Sequence, residues 1–294
     1  MRRNLIGKAA LQEKSRGLEI PMEWLFEGYV MEQLALKLAQ SERGARLLLK
    51  NANALGLSSR GRGSHKLHYG YVKQPDEAFG KADFAIFLKN TIKWETDTNI
   101  AWSWRSHMEG DSLHVELVAT LDEMSMPIEL VVDPIEEGSL THAPKEHQIR
   151  LLMENNKTEQ ILLYPAEELF FDDLGEVLTK LELITDMAVY ERIYETLGML
   201  SFEGRQFQKR LERFCGERDI VMDATRYAQM EHYLTYPYMA KKWKSYLKKQ
   251  RKSAPTWETV YGRFWSFLMP PWSAALQGMI YLGSWIPDLG RYLD

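Results

Sequence analysis

Apolar residues return at helical spacing from Met22 to Ser41, "MEWLFEGYVMEQLALKLAQS", where Leu25, Tyr29, Leu34 and Leu38 mark one face. Residues 3 to about 57 read as helices, with "ERGARLLLKNANAL" as a further short element. "GLSSRGRGSHKLHYGYVKQPDEAFG" then interrupts the periodicity with Gly, Ser and Arg, and reads as a loop or a strand-and-turn insertion. From 81 to 133 the spacing shortens to that of strands. In "GKADFAIFLKN", Ala82, Phe84, Ile86 and Leu88 alternate with Asp83, Ala85 and Phe87; "DSLHVELVATL" alternates, and "MPIELVVD" is an apolar run ending in Asp133. The connector that follows holds one more strand, Gln160 to Leu163. From Ala166 onward six segments turn helical, from "AEELFFDDLGEVLTKLELI" to "TWETVYGRFWSFL". The pattern predicts an α+β protein: a helical opening segment over 1–57, an α/β core over 58–165 with an insertion at 58–80, and an all-helical domain over 166–294. No internal repeat or low-complexity segment is visible.

Composition narrows the function classes. The chain has 294 residues, enough for two domains or one large one. Its net charge is −4, so nucleic-acid binding would need a local basic patch. A single cysteine, Cys215, excludes an internal disulfide framework and an all-cysteine metal site, and suits a reducing cytoplasm. "MRRNLIGKAALQEKSRG" has no apolar core of a signal peptide. The stretch Phe264 to Pro287 is uncharged, but Pro270 and Pro271 break it and leave an apolar helix too short for a membrane span. It reads as a buried helix or a surface for oligomer contact.

Nucleophile-elbow, Walker A and zincin motifs are absent. In "GRGSHKLHYGY", glycine and serine amides with Arg60, Arg62, Ser64 and Lys66 have the make-up of a phosphate cradle, and His65 and His68 at i, i+3 are a candidate pair for one metal; a solvated polar loop accounts for the same residues. Asp83 and Asp133, read at strand ends, are the pair of carboxylates through which magnesium-assisted phosphoryl or nucleotidyl transfer would run, although Asp133 before Pro134 also fits a turn cap. "FDDLGE" places Asp172, Asp173 and Glu176 on one helix, as a complement to its dipole or as a metal site. "KKWKSYLKKQRK" brings Lys241, Lys242, Lys244, Lys248, Lys249, Arg251 and Lys252 together, a candidate contact for RNA or DNA phosphates, around a core stripe of Trp243, Tyr246 and Leu247.

Several of these stretches, in this order, resemble the AbiEii/AbiGii family of nucleotidyltransferase toxins, found in type IV toxin–antitoxin and abortive-infection systems. "FEGYVMEQLALKLAQSERGARLLLKNANAL" is similar to its opening segment, with Leu49, Lys50 and Asn51 at the family's Leu-Lys-Gly. "ILLYPAEELFFDDLGEVL" resembles its strand, Tyr-Pro and helix. Tyr246 and Leu247, then Phe267, Leu268 and Pro270, fit its helical tail. The resemblance implies a nucleotidyltransferase-like mixed sheet, Asp83 as metal ligand and catalytic residue with Asp133, and a nucleotide held by Lys50, Arg62, Ser64 and Lys66. It also implies Mg2+ and a nucleoside triphosphate, an RNA or protein acceptor, a cognate antitoxin, a role in phage defence and a cytoplasmic location. The chain departs from the pattern at three places. One Asp of the Asp-x-Asp pair is replaced by Lys81 or Ala85, Asp173 stands where relatives carry Lys, and "AVYERIY" lacks both Asp of a Lys-Asp-x-Tyr-Asp run. These departures imply a weakened or lost transfer reaction, and with it a non-catalytic relative that binds nucleic acid or a protein partner.

Overall fold

The computed structural model describes residues 6–55, 65–75, 77, 79–92, 99–154, 157–250, 253 and 255–293, and divides into two compact units, Met1–Pro165 and Ala166–Asp294. The first opens with α1 (Lys8–Leu18) and α2 (Met22–Ala39) and continues through β1 (Leu47–Leu49), β2 (Lys66–Lys73), α3 (Lys81–Ile92), β3 (Ala101–Glu109), β4 (Ser112–Leu121), β5 (Met124–Glu136), β6 (Lys145–Arg150) and β7 (Thr158–Leu163). The strands form one seven-stranded mixed sheet in the order β3-β4-β5-β2-β1-β7-β6. β2 runs parallel to β5 and β1 parallel to β7; the other neighbours are antiparallel.

Alternation decides which face of this sheet is dry. Leu113, Val115, Leu117, Ala119 and Leu121 of β4, Met126, Ile128, Leu130 and Val132 of β5, and Leu67, Tyr69 and Tyr71 of β2 are all buried in one cluster with Leu25, Tyr29, Leu34 and Leu38 of α2. The intervening residues point to the other face.

Three local expectations are corrected. "GKADFAIFLKN" is the helix α3, not a strand. Phe84, Phe87 and Leu88 are buried at i, i+3 and i+4, whereas Ile86 is 60% exposed, so the burial follows the helical period and the alternation was incidental. Leu47–Leu49 lies inside the segment read as helical, yet it is a central strand. All three leucines are buried, and a strand covered on both faces shows no alternation. The 141–165 connector holds two strands, not one, while the Gly-rich stretch read as a loop or a strand-and-turn insertion supplies a strand, the eight-residue β2 in the middle of the sheet. Gly44 lets the chain turn from α2 into β1, since a Cβ there would lie 1.9 Å from the Ala39 carbonyl oxygen.

The second unit contains α4 (Ala166–Lys180), α5 (Ala188–Leu197), β8 (Phe202–Glu203), α6 (Gly204–Glu217), α7 (Ala224–His232), α8 (Pro237–Gln250), α9 (Trp257–Leu276), β9 (Ser284–Ile286) and β10 (Arg291–Leu293). All six predicted helices are present, with a small three-stranded sheet β10-β9-β8 added to them. The aromatics Phe170, Tyr190, Phe207, Trp257, Tyr261, Phe264, Phe267 and Trp285 fill the core around α9. Pro270 and Pro271 do not end α9. Buried Phe267, Leu268 and Trp272 carry the helix through them to Leu276, and Gly278, at φ +66°, follows its end. Among the described residues no helix is long and apolar enough to cross a membrane.

Candidate functional site

The polar face of the first unit's sheet is laid out in rows by strand register. Arg105, Glu116, Glu129 and Lys66 form one row across β3, β4, β5 and β2; His107, His114, Val131 and His68 form the next; Glu109, Ser112, Asp133 and Gly70 form the third. Beyond β1 the chain keeps the same register for one more residue, since the Lys50 amide donates to the His68 carbonyl at 2.7 Å. Asn51 then substitutes a side-chain amide for the next backbone pair. Its Nδ2 donates to the Lys66 carbonyl and its Oδ1 accepts from the His68 amide, both at 2.9 Å. An asparagine at this position therefore extends the sheet where the resembled family has glycine, and it holds Lys50 against the polar face.

Asp133 is the hub of this face. Its Oδ2 meets Lys50 Nζ at 2.9 Å and His68 Nε2 at 2.6 Å, and its Oδ1 accepts from Ser112 Oγ at 2.7 Å. Burial alone would push this carboxyl up. The His68 hydrogen bond, the charges of Lys50 and His68, and the Ser112 hydroxyl outweigh it and hold Asp133 well below the usual carboxylate range. The Lys50 ammonium also lies 4.6 Å from the centre of the Tyr164 ring, and its side chain is only 8% exposed. Lys66 pairs with Glu129 at 3.2 Å, and Arg105 with Glu116 at 2.6 Å. The face thus presents alternating, mutually neutralised charges.

The structure brings Lys50, Lys66 and Asp133 of the predicted site residues onto one face. Asp133 is neither at a strand end nor a turn cap, because β5 continues past it to Glu136 and its oxygens meet side chains. Asp83 is exposed in the first turn of α3, where a carboxylate complements the helix dipole, so it does not stand at the mouth of a strand. Ser64 and Arg62 lie outside the described residues, as do Arg251 and Lys252. His65 and His68 fall three apart on an extended chain and so point to opposite sides; His65 Nε2 stands 3.2 Å from Glu27, and His68 meets Asp133. Ser112 and Glu129 were missed from sequence, although the period-2 pattern of β4 puts Ser112, His114 and Glu116 on the side opposite the leucines.

The donor set around Asp133 does not fit a magnesium ion as it stands. Magnesium takes carboxylate oxygens and waters in an octahedron. Here both Asp133 oxygens are engaged, a lysine ammonium sits where the cation would be, and among the described residues no group of three His, Cys, Asp or Glu ligands gathers around it.

In the second unit, Asp173 belongs to an ion pair. Arg192 donates from Nη2 to Oδ1 at 2.6 Å and from Nε to both oxygens at 3.1 Å. On α8, Trp243 is buried, Tyr246 and Leu247 are partly buried, and Lys241, Lys244, Lys248 and Lys249 are exposed. Lys242 is different: its ammonium donates to the Glu182 and Ile184 carbonyls at 2.7 and 2.6 Å.

No protein-family model matches the chain, and no curated protein matches its sequence. Among solved structures, JHP933 from Helicobacter pylori is similar at 11% identity and a TM-score of 0.46, covering 87% of this chain and 94% of that one. A second H. pylori protein, provisionally named a nucleotidyltransferase, is similar at 11% identity and a TM-score of 0.34, covering 83% of this chain and 99% of that one.

Proposed function

We propose that this chain is a nucleotide-binding protein built on a nucleotidyltransferase-type sheet, a divergent relative of the AbiEii/AbiGii toxins that keeps a ligand face without the transfer reaction. The observation that carries the reading is the cluster of Lys50, His68 and Asp133 on the polar face, next to Tyr164. Lysine and imidazole are phosphate donors, and Lys66 and His68 stand two residues apart on one side of β2, about 7 Å along the strand. A triphosphate laid along β2 would take Lys66 and Lys50 as point charges and a hydrogen bond from His68. Asp133 orients Lys50 and His68. The missing second carboxylate and the fully engaged Asp133 favour binding over transfer. As a relative of that family, the protein would act in phage defence with a cognate antitoxin as partner.

Calorimetric titration with ATP, GTP, CTP and UTP, each with and without Mg2+, tests the reading. We expect binding of at least one nucleotide that does not require Mg2+ and that weakens about tenfold or more in Lys50→Ala, the loss of one charge-assisted phosphate contact. No heat with any nucleotide, or unchanged affinity in Lys50→Ala, would sink it. Incorporation of labelled nucleotide into RNA or protein by the purified chain would overturn the non-transferring part.

A further inference from the structure

The hairpin of β3 and β4 carries a second cluster that the nucleotide reading does not use. His107, Glu109 and His114 each offer a ligand atom, and these atoms lie within 4.8 Å of one another. Strand geometry accounts for the convergence. His107 and Glu109 are two apart on β3 and share a side, and His114 is the direct cross-strand partner of His107. The connection between the strands is the two-residue turn Gly110–Asp111, with Gly110 at φ +61°, so the register that opposes the two histidines is fixed by a tight hairpin.

The two nitrogens of His114 face different carboxylates. Nδ1 lies 3.3 Å from Glu129 Oε1, and Nε2 lies 3.5 Å from Glu109 Oε2. A neutral imidazole has one N–H and one lone pair. With Nδ1–H donated to Glu129, Nε2 turns its lone pair toward Glu109 and the stacked His107 ring, 5.4 Å away between centroids. The Glu109 carboxylate and the His107 ring, which brings a lone pair of its own, lie on that same side. A metal cation at that point satisfies all three, and Glu129 supplies the outer carboxylate that commonly fixes the tautomer of a metal-bound histidine.

We propose that His107, Glu109 and His114 bind a divalent transition-metal ion, zinc first among them, with Glu129 as the positioning residue for His114. Two imidazoles and one carboxylate are a zinc-type donor set, unlike the oxygen-only shells of magnesium and calcium. Tetrahedral bonds of about 2.1 Å place ligand atoms about 3.4 Å apart, so binding would draw these side chains together by rotation on the fixed hairpin. His107 and Glu109 are exposed, which leaves a fourth position to water.

Chelator-stripped protein titrated with ZnCl2 and, for its visible spectrum, CoCl2 tests the site. We expect a single binding event that His107→Ala and His114→Ala each weaken about 100-fold or more, a tetrahedral cobalt spectrum lost in both, and about a tenfold weakening in Glu129→Gln, in the range of outer-shell substitutions. Lys50→Ala should leave metal binding intact, which separates this site from the nucleotide reading. Unchanged thermal midpoints of the stripped variants would show that folding is not at issue, and His107, which is exposed where His114 is partly buried, is the safer of the two changes. Absence of zinc binding, or equal binding by a His107→Ala/His114→Ala double variant, would overturn the proposal.

Discussion

Asp133 and Asp173 are both acids drawn out of water and matched to cations, and the difference between them separates a candidate site from a structural tie. Asp133 keeps 24% side-chain exposure and receives single contacts from three separate segments, Lys50, His68 and Ser112. Asp173 is 7% exposed and is gripped by one guanidinium fork that ties α4 to α5. The electrostatics diverge accordingly. Burial pushes the Asp173 carboxyl up against the pull of Arg192, whereas the donors around Asp133 overcome burial and hold it down. Independent contacts can be exchanged one at a time for a ligand. A bidentate fork between two packed helices cannot be opened without losing the packing.

Removing one cation from each cluster puts this contrast to the test. Arg192→Ala leaves a buried carboxylate without its counter-ion and should cost about 3 kcal/mol in urea unfolding. Lys50→Ala leaves Asp133 with His68, Ser112 and water, and should cost about 1 kcal/mol. Equal losses would erase the distinction between the two clusters.

A third buried acid sharpens the contrast, because among the described residues no cation pairs with it. Glu32 on α2 is 3% exposed, and burial raises its carboxyl to about 7, opposed by the Leu152 amide that donates to Oε2 at 2.9 Å. The folded carboxyl holds its proton to higher pH than the unfolded chain does, so its contribution is whole below about pH 4.5 and is lost as pH rises through 7. Glu32→Gln keeps the acceptor for Leu152 without the charge. The variant should be more stable than the parent by about 3 kcal/mol at pH 8 and indistinguishable from it at pH 4, measured by unfolding at both values.

How much of this was legible in the sequence depended on whether a pattern had one solvent side. β4 announced itself because leucine and valine alternate with serine, histidine and glutamate. The six helices of the second unit were readable for the same reason at a longer period. β1 was not, because both of its sides are buried, and α3 was not, because Ala85 and Phe87 blur the distinction between periods 2 and 3.6. The site suffered from the second error. Reading α3 as a strand made Asp83 the expected partner of Asp133, while the residues that do meet Asp133 come from strands that pair through long-range register. Lys50 and Ser112 are adjacent to it only once β1, β2, β5 and β4 lie side by side.

The smallest effect on stability is expected on α8, where the question is what a charged helix face is for. Lys241, Lys244 and Lys248 follow one another at helical spacing, with Lys249 beside them, and all four are exposed opposite the buried Trp243. Lys242 must be left out of any test, because it closes the Glu182 and Ile184 carbonyls and its removal would disturb the fold. Changing the other four to alanine should shift stability by no more than about 0.5 kcal/mol, as for surface sites without packing partners. If the face contacts nucleic acid, the same variant should bind single-stranded RNA about tenfold more weakly, with a shallower dependence of affinity on salt, because each lost phosphate contact removes a released counter-ion. We expect that pairing of results, unchanged folding with weakened and less salt-sensitive binding, in a filter-binding series across salt concentrations. Equal RNA binding by parent and variant at every salt concentration would make these lysines a solvated surface and leave the ligand chemistry of the protein to the sheet.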